Sequence, residues 1–262
     1  MRHRTLFTLA MILLSASPSL MSDVVTITAS KDNTIFSRND ATSNALGILF
    51  TNTTNQANTR RALIAFDVAG QIPAGSTVTS ASLTLTLSEA APGSGVLDHS
   101  VHRLLQDWGE GTSYGTSGNG GEATPGDATW SARFYPDTLW TAPGGDFVAA
   151  PSATVPVGET VGPITWGPSP ELVADVQSWV DAPETGHGWI LIGTEEIFGA
   201  ARKFVNREAE DSLLWPTLTV EFDPPGIDTA PFTGIPTLGA LGLAILALLM
   251  LGAGLVGLRR SA

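Results

Sequence analysis

The sequence predicts an all-β fold: a jelly-roll-type β-sandwich with one short helix, set between an N-terminal signal peptide and a C-terminal transmembrane helix. Three observations predict it. Apolar and polar residues alternate with a period of two in several segments. Pro/Gly turn clusters separate those segments, and a single window carries the period of an amphipathic helix.

In chain order, Arg2, His3 and Arg4 precede an apolar run over residues 6–14 and the small residues Ser15, Ala16, Ser17, Pro18 and Ser19. That three-part layout is a secretory signal peptide, residues 1–22, and its apolar run is too short to span a bilayer. Val25, Ile27 and Ala29 open the folded body, residues 23–222. Residues 61–68 (Arg-Ala-Leu-Ile-Ala-Phe-Asp-Val) are apolar on both faces, as a central strand is. Ala81, Leu83, Leu85 and Leu87 alternate with Ser82, Thr84, Thr86 and Ser88, giving one buried and one wet face. Residues 189–192 (Trp-Ile-Leu-Ile) repeat the first pattern, and Leu218, Val220 and Phe222 repeat the second. Turn clusters at 72–76 and 91–95 separate strands. The helix starts at a Ser169 cap with Pro170 and Glu171 in its first turn. It presents Leu172, Val173, Val176, Trp179 and Val180 as one stripe and stops at Pro183.

Residues 223–234 read as a Pro/Gly linker. Residues 238–258 are then uncharged and apolar, about 31 Å as a helix, enough to cross the hydrocarbon core. Arg259 and Arg260 follow at once, which orients the acidic body away from the cytoplasm.

Composition excludes several functions. Hydrophobic residues are 43% and charged residues 15% of the 262, so a sizeable core is expected rather than disorder. Four of the 13 Lys and Arg lie in the terminal segments. Nine therefore face 25 Asp and Glu between them, a net charge of −16 that repels phosphate backbones and argues against nucleic acid as a partner. Cysteine is absent, which removes disulfides, thiolate metal sites and cysteine nucleophiles.

Two resemblances bear on identity. Ile235, Pro236, Thr237 and Leu238, the apolar helix and Arg259-Arg260 resemble the IPTL-CTERM sorting signal of certain bacteria, with Leu241 where that family has Trp. The resemblance implies an exosortase-type membrane enzyme as partner: anchoring in the cell membrane through residues 235–262, then processing towards the cell surface. In the body, residues 60–68, Ile72-Pro73-Ala74-Gly75 and residues 78–85 resemble the opening half of DNRLRE domains. Asp175-Val176-Gln177-Ser178-Trp179, residues 188–192, Phe204-Val205-Asn206-Arg207-Glu208 and residues 215–220 are similar to the closing half. That resemblance implies a β-sandwich of bacterial surface proteins, related to carbohydrate-binding modules.

Candidate chemistry concentrates in residues 108–147. Trp108, Tyr114, Trp130, Tyr135 and Trp140 lie beside a Gly-rich stretch that lacks the Gly-Lys-Ser/Thr ending of a phosphate loop. Two readings of these rings stand: a platform stacking on sugars, or core packing beneath a long loop. Asp107, Glu110 and Asp127 can supply hard oxygens to a structural Ca²⁺, and no other cofactor is expected. Arg207 is expected to pair with an acid at the sheet edge. His99 and His102, three apart on a strand, point to opposite faces and do not share a metal. Gly111-Thr112-Ser113-Tyr114-Gly115 matches Gly-x-Ser-x-Gly but lies in a Gly-rich stretch with no helical pattern after it, so it is not read as a nucleophile elbow and catalysis is not expected. The expected function is a non-catalytic module binding carbohydrate or matrix polysaccharide. The alternatives are a purely structural envelope or biofilm-matrix protein and, lacking a convergent constellation, a polysaccharide hydrolase or lyase.

Overall fold

The computed structural model describes residues 22–226. The sorting residues Ile235, Pro236, Thr237, Leu238, Arg259 and Arg260, the helix at 238–258 and all of the signal peptide before Ser22 lie outside them. Among the described residues no helix is long and apolar enough to cross a membrane.

Among the described residues the fold is all-β with one α-helix. Its strands in chain order are β1 (Asp23–Phe36), β2 (Thr42–Ser43), β3 (Leu49–Thr53), β4 (Thr59–Phe66), β5 (Thr77–Ala90), β6 (Leu97–Arg103) and β7 (Gly121–Glu122). There follow β8 (Ala132–Phe134), β9 (Thr138–Leu139), β10 (Ala153–Val157), β11 (Gly162–Trp166), α1 (Pro170–Asp181), β12 (Trp189–Gly193), β13 (Arg202–Phe204) and β14 (Thr217–Asp223). Twelve strands join one antiparallel sheet, and β8 and β9 form a separate pair.

That sheet has two halves linked by strands belonging to both. In one half β5 pairs with β11 on one edge and with β14 and β13 on the other, and β14 pairs with the start of β1. In the other half the order is β10, β6, β12, β4, then the end of β1. β1 changes halves at an irregularity between Ala29 and Lys31, where the ladder slips and the strand bends. β3 also pairs in both halves, and Asn52, where it switches, has a left-handed φ of 68°.

One core fills the space between the halves. Leu83, Leu85, Leu218 and Val220 from one side meet Ile64, Phe66, Val101 and Trp189 from the other. α1 adds Leu172, Val176 and Trp179 to it, and its Ser169 cap accepts the Leu172 N–H at 3.2 Å. The linker starts later than expected, because Asp223 still pairs with Thr77 as the last residue of β14.

A second cluster explains why β4 and β12 are apolar on both faces. Ile35, Leu63, Ala65 and Ile190 point away from the first core and meet Leu104, Trp108, Ala128 and Trp140. The long excursion after β6 folds over the outer face of that half and buries it.

Candidate functional site

The Trp108-Gly109-Glu110-Gly111 turn sends its two large side chains to different places. Gly109 packs on the Gly126 carbonyl so closely that a Cβ would clash, and Gly111, at φ 75°, meets Asp127 in the same way. Trp108 enters the second core, 1% exposed, and its indole N–H donates to the His187 carbonyl at 2.9 Å. Trp140 is 5% exposed and donates to the Thr129 carbonyl at 3.0 Å. Neither ring offers a face to solvent, so the platform expectation is corrected for both: they seal the outer face of the sheet. Trp130 is half-buried with the Arg61 guanidinium 4.8 Å from its ring centre, and Tyr135, on the same excursion, is also half-buried. Tyr114 alone of the five is well exposed, at 62%.

The acids expected around a cation separate. Asp107 takes Lys31 in an ion pair at 2.7 Å. Asp127 is buried and caps its own loop, accepting from the Thr124 and Ser113 N–H groups. Only Glu110 of that trio joins a carboxylate cluster, and its neighbours are Asp32 and Glu208, which the sequence reading did not single out for this role.

This cluster is built by three distant segments. Asp32 lies in β1, fully buried, and its Oδ2 accepts the Arg207 backbone N–H at 2.8 Å. Its own N–H donates to Glu110 Oε1 at 2.8 Å. The Arg207 Nη1 donates to both Glu110 oxygens at 3.0 Å and to Glu208 Oε1 at 2.8 Å, while Asn206 holds Glu208 Oε2 at 2.8 Å. Arg207 thus pairs with acids, one of them on the excursion, and ties that loop to the β13–β14 connection. Burial pushes the Asp32 carboxyl well above the usual range; the Arg207 N–H opposes this and the neighbouring Glu208 and Glu110 charges add to it. Burial also raises Glu208, against the opposing pull of Arg207.

A second feature is a cleft of about 490 Å³ lined by Arg38, Asn39, Thr42, Asn58 and Asn119. It lies where β1 ends, beside the β3–β4 turn and the Gly-rich loop. The side-chain oxygens of Asn39 and Asn58 accept the Ala41 and Arg38 N–H groups at 3.1 and 3.2 Å, which holds the loop; Asn39 is exposed and Asn58 is buried. Sequence reasoning missed this cleft, although Arg38-Asn39 following a strand and Asn119 amid glycines were visible as polar turn residues.

No family model matches the chain, and no curated protein matches it. The reading of both features therefore rests on their geometry. His99 and His102 lie on opposite faces of β6, His99 against Phe204 in the first core and His102 against Phe147.

Proposed function

We propose that this chain is an exported, surface-directed, non-catalytic protein whose jelly-roll-type β-sandwich binds carbohydrate or extracellular matrix polysaccharide. In this reading residues 1–22 direct export and the 238–258 helix anchors the chain in the cell membrane. Ile235, Pro236, Thr237, Leu238, Arg259 and Arg260 then address it to an exosortase-type enzyme. The resemblance of the body to DNRLRE domains supports the same reading, as do two sheet halves that exchange β1 and β3 around a single core.

The observation that carries the binding proposal is the polar cleft. Sugar hydroxyls donate and accept together, and a wall of amides, a hydroxyl and a guanidinium answers both needs. Asn119 and the exposed Tyr114 sit on the same Gly-rich loop, so a stacking ring and a hydrogen-bonding group share one segment.

A glycan array followed by titration of the full chain tests this. Arg38→Ala and Asn119→Ala are each expected to weaken binding roughly tenfold while leaving unfolding within about 0.5 kcal/mol, since both side chains are at the surface. If the wild type binds no polysaccharide, the binding reading fails. The purely structural envelope or biofilm-matrix reading, which the core positions of Trp108 and Trp140 favour, then takes its place.

A further inference from the structure

We propose that Asp32, Glu110 and Glu208 form a binding site for one divalent cation of Ca²⁺ size, separate from the polar cleft and independent of the carbohydrate reading.

Size is the first support. Oxygens that share one Ca²⁺ at about 2.3–2.6 Å stand up to about 5 Å apart in irregular carboxylate cages, whereas Mg²⁺ demands near-ideal octahedral geometry and keeps several waters. Each of the three carboxylates offers an oxygen within 4.8 Å of the other two. The second support is an orphaned atom. Asp32 is 0% exposed, its Oδ2 is held by the Arg207 N–H, and its Oδ1 is buried with no hydrogen-bond partner. A buried carboxylate oxygen without a donor is costly, and a bound cation removes that cost.

Charge balance is the third. Arg207 bridges Glu110 and Glu208, and Lys31, the adjacent cation, is committed to Asp107 and the Trp108 carbonyl. With all three carboxylates ionised, one guanidinium leaves two negative charges, which one divalent ion cancels. Arg207 is 31% exposed in its side chain, so it can swing outward and release a Glu110 or Glu208 oxygen to the ion. The backbone bonds that fix Asp32 and Glu110 do not depend on the ion, so both ligands are positioned beforehand.

The site joins β1, the excursion that covers the sheet, and the β13–β14 connection, so an ion here stabilises the fold. The test is calorimetric titration of the chelator-treated full chain with CaCl₂ and, separately, MgCl₂ at pH 7, with melts under each condition. One Ca²⁺ per chain, a higher melting temperature in Ca²⁺ and weaker Mg²⁺ binding are expected. Glu208→Gln, a near-isosteric change at a side chain 25% exposed, is expected to lower Ca²⁺ affinity at least about fivefold. No saturable binding at millimolar Ca²⁺, binding of Mg²⁺ as tight as Ca²⁺, or a smaller loss in Glu208→Gln overturns the proposal.

Discussion

His99 lies in the first core with its ring centre 6.1 Å from that of Phe204, edge to face, and its nitrogens against the Leu97 carbonyl and the Thr51 and Asn52 side chains. Burial lowers its pKa to about 4. An unfolded histidine titrates near 6.5, so between these values the unfolded chain binds the extra proton and the folded chain does not. The stabilisation is complete above about pH 6.5 and is lost as pH falls towards 4. His102 and His187 are displaced downward too, desolvation being the leading cause in each. Lowering the pH from 7 to 4.5 is therefore expected to cost roughly 2–3 kcal/mol through His99 alone. Urea denaturation at both values, for the wild type and His99→Gln, checks this: the variant should lose that much less than the wild type. Equal losses would mean that the ring charges inside the fold. The sequence placed His99 on a strand but left its environment open, because the residues that bury it come from β3 and β13.

Helix α1 shows what an element's own sequence carries and what it lacks. Its cap, its Pro and its apolar stripe all follow from local rules, and the helix forms where they place it. Asp175 breaks the stripe and is nonetheless buried, while Val173 on the expected face is only half-buried. The reason lies in other elements: Asp175 Oδ2 accepts from Ser152 Oγ at 2.5 Å and from the Trp189 indole at 2.8 Å, and Oδ1 pairs with Arg103 at 2.9 Å. Helical period describes a face, not the polar partners waiting on the sheet beneath it. Asp175→Ala strands a buried indole N–H and a half-buried guanidinium, so a loss of about 3 kcal/mol is expected. Chemical denaturation measures it, and a loss below about 1 kcal/mol would mean that these contacts do not dock the helix. The excursion gives the same lesson at larger cost. Its aromatic and acidic residues were legible as a group, but Trp108 and Trp140 seal the sheet because β4 and β12 present a second apolar face, which only their pairing reveals.

Across the whole body, closure depends on its last strand. β14 lies between β1 and β5, so the first and last strands are neighbours: Asp23 faces Phe222 and Thr28 faces Thr217, while Leu83 faces Leu218 on the other side. The alternating patterns of these strands were readable in the sequence, whereas their adjacency was not, since almost 200 residues separate partners that meet only in the finished sheet. Removing β14 strips hydrogen bonds from both neighbours and uncovers the core where Leu218, Val220 and Phe222 stood, a burial of about 2 kcal/mol for each side chain. Losing three such side chains and a central strand exceeds the usual margin of stability. A chain of residues 22–226 is therefore expected to melt in one cooperative transition with a β-type circular dichroism spectrum. A chain of residues 22–216 is expected to show neither. Should the shorter chain melt cooperatively at a similar temperature, the two halves do not need β14 to hold together, and the core between them is not what closes the fold.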